Sequence, residues 1–369
     1  MKKIIAIALM LGMMCGVAGC GSAQEESTST AENAAADTQA PTTQAETEAE
    51  TESQSEAETE ARTESVKTPD TQFVLEYPED MQELGFTEPV VMDEMPKRVV
   101  SLSTAPVLAL HELGANLVGV PVSTVIVWPE ELTANAESVS FSVMSDGDFD
   151  FESVLALEPD LVFLASAAKD TAGAALESLG LTVYYVYAGH TVPYESIKMQ
   201  TEVLIDAFDM TEESIAAGED IMSRFDELEG KLSETQKLYE GKSVLVLQSN
   251  SYQSHYAQTK EGTLGSMLDM IGFTNVYENE TSSLAQIDLE QTLSYDPDYI
   301  VSVGSGSAEY QQELMDKAFE SNPEYWNCMT AVENDKVICL DVKYISSTGI
   351  NVIDNMTSLM ADIEACMGE

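Results

Sequence analysis

Positive charge is what this 369-residue chain has least of: 16 Lys and Arg stand against 65 Asp and Glu, a net charge of −49. Three of the cations are Arg: Arg62, Arg98 and Arg224. Nucleic-acid binding needs Lys and Arg clustered against phosphate, and adsorption to anionic lipid needs the same, so both are excluded. The histidines are His111, His190 and His255, too scattered for a bare zinc or manganese site of converging imidazoles and carboxylates. The five Cys include no CxxC pair and suggest no disulfide framework. The chain also lacks GxSxG, HExxH, GxxxxGK[ST] and GxGxxG, so no motif announces a nucleophile, a zinc protease or a phosphate loop.

A long apolar run is missing too. The opening "MKKIIAIALMLGMMCGVAGC" has Lys2 and Lys3, an apolar stretch from Ile4 to Ala18, and small residues before Cys20. That stretch falls short of the roughly 20 residues that span a membrane and has the layout of a secretory signal. "VAGC" resembles a bacterial lipobox, which implies cleavage before Cys20 and a diacylglycerol on its thiol. Its two acyl chains give a stable anchor where one would not. Residues 1–20 are therefore expected to be a lipoprotein signal peptide. The mature protein would be held on the extracytoplasmic face of the cell membrane by lipid alone.

Residues 21–70 are almost entirely Ser, Thr, Glu, Ala and Gln, with repeats such as "AETEAETES". So little apolar surface cannot offset the entropy of ordering, and like charges extend the chain, which predicts a disordered tether. The tether carries −11 and residues 71–369 carry −40, the mark of an acidic, soluble surface. With Cys15 in the signal and Cys20 lipidated, Cys328, Cys339 and Cys366 remain, an odd number. Cys339 in "KVICLDV" reads as a small buried apolar residue.

About 300 residues are left to fold, enough for two domains. "RVVSLS", "LVGVPV", "DLVFLA", "TVYYVY", "KSVLVLQS", "DYIVSV" and "KVICLDV" read as buried strands, with helical stretches such as "VLALHELGA" between several of them. Such alternation predicts an α/β protein with parallel sheets covered by helices. Residues 211–239 differ: Thr211 is a plausible N-cap, and Ile221, Met222, Phe225, Leu228 and Leu232 follow helical spacing. Fully helical, this segment is about 43 Å long, enough to join two lobes as a strut.

On either side of that strut the chain writes nearly the same phrase, "DFESVLALEPDLVFLA" and "DLEQTLSYDPDYIVSV". Each is a helical pattern, a Pro-Asp and a core strand. Each places a Glu, Glu152 or Glu290, seven residues before the Pro. The expected layout is a tether over 21–70, an N-terminal α/β lobe over 71–208, a connecting helix over 209–240 and a C-terminal α/β lobe over 241–369.

From about residue 90 onward the chain resembles the solute-binding lipoproteins of bacterial ABC importers for iron chelates, haem and cobalamin. The phrases that carry the resemblance are "PKRVVSLS", "ELGANLVGVP", "FESVLALEPDLVFL", "GTLGSMLDMIGFTNVYE", "LEQTLSYDPDYIV" and "YWNCMTAVENDKVICLD", in that order. The resemblance implies two lobes with central parallel sheets joined by one long rigid helix, the class III periplasmic-binding-protein architecture, with ligand in the cleft between them. It implies no enzyme activity and no cofactor. The implied ligand is a small-molecule metal chelate, a siderophore or haem, with cobalamin as the alternative. The implied partners of this monomer are an ABC permease and its ATPase. By position, Glu152 and Glu290 become the residues that dock onto permease Arg side chains, which a carboxylate pairs with bidentately.

Ligand sites of this kind are built from loops after the strands. On such loops lie Ser103, Thr104, Met144, Lys169, Tyr187, His190, Tyr252, His255, Tyr256, Lys260, Lys343 and Tyr344. Tyr and His can stack on a flat chelate or ligate its metal, and Lys can neutralise its carboxylates. The haem-binding branch of the family is nearest in phrasing; it places a Met before the first docking helix and a His after the strand matching "DYIVSV". Here Met144 lies near the first position, and "GSGS" occupies the second. Met144, His190 and His255 are then the candidate axial ligands. A surface sensor, an adhesin or a hydrolase on the same fold is the alternative class.

Overall fold

The computed structural model describes residues 72–141, 151–187, 192–277 and 282–367. Cys20, the tether, Met144 and His190 lie outside the described residues. Among the described residues no helix is long and apolar enough to cross a membrane.

A short ribbon comes first, β1 (Phe73–Leu75) antiparallel to β2 (Val90–Met92). It is fastened by aromatics: Phe73 meets Phe208 edge-on at 5.2 Å, and Tyr77 stacks on Tyr184 at 4.5 Å. The first large sheet contains β3 (Val99–Ser101), β4 (Leu117–Pro121), β5 (Glu137–Val139), β6 (Leu161–Ala165) and β7 (Val183–Val186). Its order is β5-β4-β3-β6-β7 and every pairing is parallel. β4, β6 and β7 are buried along their whole length, which is why they read as unbroken apolar runs. The chain order reverses between β3 and β6, the topology in which open α/β sheets place ligands beyond the C-terminal ends of their strands.

The connecting helix runs Glu212–Tyr239 behind a reciprocal capping box between Thr211 and Ser214. Ile221, Phe225, Leu228 and Leu232 are buried on its inner face as their spacing predicts; Met222 is half-buried. Gly218 allows close contact with the preceding helix, Tyr194–Phe208, because a Cβ there would fall 2.7 Å from Ile205.

The second sheet contains β8 (Ser243–Ser251), β9 (Ser254–Gln258), β10 (Thr274–Asn275), β11 (Leu284–Gln286), β12 (Tyr299–Val303) and β13 (Val337–Cys339). β8, β12 and β13 are parallel, and β10 runs parallel along the foot of β8. β9 pairs antiparallel with β8 and β11 antiparallel with β9, so this sheet adds an antiparallel flank to its parallel centre. The segment after "KSVLVLQS", expected as a loop, is therefore the tip and return strand of a hairpin. Its polar residues pair through the backbone, which side-chain polarity does not reveal. The final helix, Asn351–Met367, packs on the connecting helix, where Thr235 meets Met360.

The duplicated phrase has one structural job done twice. The helices Phe151–Ala156 and Leu289–Tyr295 each lead to a left-handed residue before proline, Glu158 at φ 46° and Asp296 at φ 40°. The Asp after the proline then reaches to the start of its large sheet's first strand. Asp160 accepts from the Lys97 and Arg98 N–H groups at 2.7 and 2.9 Å. Asp298 accepts from the Ser243 N–H at 2.8 Å and its hydroxyl at 2.9 Å.

Candidate functional site

The turn after β3 carries Ser103 and Thr104. Ser103 is buried: its carbonyl accepts from the Ser101 hydroxyl at 2.6 Å and its own hydroxyl accepts from the Ala105 N–H at 3.4 Å. Thr104 instead faces the other lobe, its hydroxyl 3.1 Å from that of Thr348. After β4 the chain turns around Ser123, whose hydroxyl accepts from the Val125 and Ile126 N–H groups at 3.3 and 2.8 Å.

The opposite wall follows β13. Asp341 caps the 3-10 turn Val342–Ile345 through the Lys343 N–H at 2.9 Å. Tyr344 is fully buried and its hydroxyl donates to Asp362 on the final helix. Asn355, on that helix, donates to the Ser347 hydroxyl at 2.8 Å and to the Lys343 carbonyl at 3.3 Å. Asn351 donates to the Ser346 carbonyl at 3.2 Å. The loop is thus pinned from behind, with Gly349 pressed so close to the first lobe that a Cβ would sit 2.1 Å from the Ala105 carbonyl oxygen.

Between these walls lies a cavity of about 300 Å³ lined by Thr104, residues 122–126, Ile345, Ser346 and Thr348. It sits beyond the C-terminal ends of β3 and β4 and against the loop after β13, where loops of both lobes converge. Residues 99–344 match the periplasmic binding protein family. The chain belongs to that family.

Its two-lobed α/β architecture with a single connecting helix is that of the class III periplasmic binding proteins. Solved structures repeat the fold. The iron-uptake ABC transporter substrate-binding protein PiuA from Streptococcus pneumoniae superposes with a TM-score of 0.58 at 19% identity, over 75% of this chain and 95% of that one. IsdE of S. aureus, solved with haem, gives 0.57 at 20% identity over 72% and 98%. The vitamin B12 binding protein BtuF of Vibrio cholerae gives 0.56 at 17% identity over 74% and 99%. No curated protein sequence matches the chain.

The residues singled out from sequence fall into three groups on this periplasmic-binding frame. Thr104 lines the cavity, and Lys343 and Tyr344 begin the loop that supplies Ile345 and Ser346 to it. Lys343 is turned onto the Tyr344 ring, 4.8 Å from its centroid. Tyr187 is half-buried just past the end of β7 and is not among the lining residues. Burial raises its phenol pKa, and the carboxylates Asp80 and, across the lobes, Glu261 raise it further.

A second group does not line the cavity. Lys169 lies over the Phe86 ring at 4.4 Å, against the N-terminal segment. His255 sits on β9 with both nitrogens engaged: Nδ1 is 2.7 Å from the Ser249 hydroxyl, and Nε2–H donates to the Tyr252 carbonyl at 3.2 Å. Its ring meets Trp326 edge-on at 5.6 Å, and burial pushes its pKa below the ordinary value, outweighing the bond to Tyr252. Tyr252 at the hairpin turn, Tyr256 on β9 and Lys260 beyond it are exposed.

The third group comprises Glu152 and Glu290. Both are exposed in the first turn of equivalent helices. Sequence reasoning missed residues 122–126, Ile345, Ser346 and Thr348. The short hydroxyl-rich runs "VSTV", directly after β4, and "SSTG", after the 3-10 turn that follows β13, were the available signal. Among the described residues no group of three or more His, Cys, Asp or Glu is placed to hold a metal ion. Cys339 is half-buried on β13, and burial pushes its thiol up to about 12.

Proposed function

We propose that the chain is the lipid-anchored solute-binding component of an ABC importer, capturing a metal chelate between its lobes and delivering it to a permease. The chelate class is that of the structural neighbours: an iron chelate, haem or cobalamin. The observation that carries this reading is the cavity between the lobes, lined by loops from both. A ligand there touches both walls and so reports its presence to anything that grips both lobes. Glu152 and Glu290, exposed on equivalent helices of the two lobes, are the two grips, each pairing with a permease Arg. Cys20 carries the lipid, and residues 21–70 tether the folded part to the membrane surface. Tyr187, Tyr252, Tyr256 and Lys260 serve as rim contacts to the ligand.

The test is reconstitution. With the cognate permease and ATPase in liposomes, chelate-loaded protein should raise ATP hydrolysis several-fold over the unloaded protein. Cys20→Ser should release the protein from cell membranes. Covalent turnover of a bound solute, with no effect on the ATPase, would replace the transport reading with the hydrolase one.

A further inference from the structure

Among the described residues, the side chains lining the cavity are of two chemical kinds. Thr104, Ser123, Thr124, Ser346 and Thr348 carry hydroxyls, and the rest are Val and Ile. None is ionisable, and none is an imidazole, thioether, thiol, phenol or carboxylate that could ligate a metal. No lysine is among these lining residues: Lys343 lies over the Tyr344 ring, Lys169 lies over the Phe86 ring, and Lys260 is exposed outside the lining. The whole chain carries −49, so an anion approaching the cleft climbs a repulsive potential and meets no counter-charge among these residues. Hydroxyls, by contrast, both donate and accept, and so satisfy a ligand rich in neutral oxygen and nitrogen.

We propose that this cleft selects a chelate without net negative charge whose metal is fully coordinated by the chelate itself. The cleft holds it by hydroxyl hydrogen bonds and aliphatic contact, with no axial ligand from the lining residues. The proposal rests on the reading of the cleft as the solute site. It also separates the members of the chelate class. A neutral or cationic ferric tris-hydroxamate and neutral cyanocobalamin fit the lining; haem, with its propionates, and a ferric tris-catecholate do not.

Titration of the mature protein with those four probes decides it. The tightest should be one of the two uncharged or cationic probes, about 100-fold ahead of haem and the tris-catecholate, since an uncompensated charge is costly to desolvate. A neutral probe's affinity should change less than about twofold between roughly 0.05 and 0.5 M salt, because screening acts on charge. Ser346→Lys, checked for an unchanged melting temperature, should improve binding of the anionic probes by about tenfold, as a charge-assisted hydrogen bond does. Tightest binding of haem or the tris-catecholate overturns the proposal while leaving the solute-site reading intact. So does a haem spectrum that reports a protein axial ligand. Failure of all four probes to bind removes the chelate reading and this inference with it.

Discussion

Asp160 in the first lobe and Asp298 in the second do the same work, tying the start of β3 or β8 to the strand beside it. The helix before each ends at a left-handed residue ahead of a proline. At this end the lobes are two castings of one pattern. At the cleft end they differ. The first lobe offers a turn after β3 and a loop after β4, both shaped by their own Ser hydroxyls. The second offers a loop held from behind by Asn351, Asn355 and Asp362 of the final helix. Its sheet also gains the antiparallel flank of β9 and β11. Repetition is thus confined to what places the two exposed glutamates alike, and variation to the loops that line the cavity.

The largest effect should come from the point where the lobes touch. Gly349→Ala drives a methyl into the Ala105 carbonyl, which is backbone and cannot turn aside. We expect a loss of about 3 kcal/mol, the upper range for overpacking, seen as a lower melting temperature. Gly230→Ala on the connecting helix meets nothing within 4 Å and should instead stabilise by about 0.5–1 kcal/mol. Equal effects from the two would mean that the lobes are not in firm contact at Gly349.

Next come the paired aspartates. Asp298→Ala strands a Ser243 N–H and hydroxyl in a partly buried place and should cost about 2–3 kcal/mol. Asp160→Ala frees two N–H groups that water can reach, and about 1–2 kcal/mol is expected. Chemical denaturation measures both, and a reversed order would break the comparison.

The glutamates sharpen it on the functional side. Glu152→Ala and Glu290→Ala should each leave chelate affinity within about twofold, since both residues are exposed and away from the cavity lining. Uptake by the reconstituted importer should fall about tenfold for each and further for the pair, in keeping with loss of one charged contact to Arg. A large loss of chelate binding in either purified variant would place that glutamate in the cleft.

The smallest effect is one of pH. Burial holds the His255 pKa below its ordinary 6.5, so the folded protein takes up its proton later than the unfolded chain does. The stability this contributes is present above about pH 6.5 and is lost as pH falls through the lowered value. His255→Gln should therefore lose less stability than the parent between pH 7.5 and 5, by about 1 kcal/mol or less. Parallel melting curves over that range would show that His255 takes no part.

Much of the frame was legible in the sequence. Unbroken apolar runs located β4, β6, β7, β8 and β12, because strands buried on both faces need them. Thr211 and the spacing from Ile221 to Leu232 gave the connecting helix almost to the residue. The hairpin of β8 and β9 was not legible, since "NSYQSHYAQ" has the polarity of a loop and its pairing is set by the backbone ladder. The cleft was legible in part. Thr104 and the loop from Lys343 were found from their place after strands. Attention to aromatics, His and Lys pointed past the residues that line the cavity, which are Ser, Thr, Val and Ile. The spare chemistry of Lys169 and His255 turned out to be used within their own lobe, on Phe86 and on Ser249 and Tyr252.

The most direct test of the account is to fill the cavity. Ser346 faces it from a loop that is held independently by the final helix, so Ser346→Trp can occupy the space without disturbing either core. The measurement is the affinity of parent and variant for whichever of haem, cyanocobalamin and a ferric tris-hydroxamate the parent binds most tightly. Melting temperatures serve as the control. The account predicts a loss of about 100-fold or more with melting changed by only a few degrees, as expected when a bulky group displaces a ligand from its pocket. Unchanged affinity in a folded Ser346→Trp protein would show that the solute binds somewhere other than between these walls.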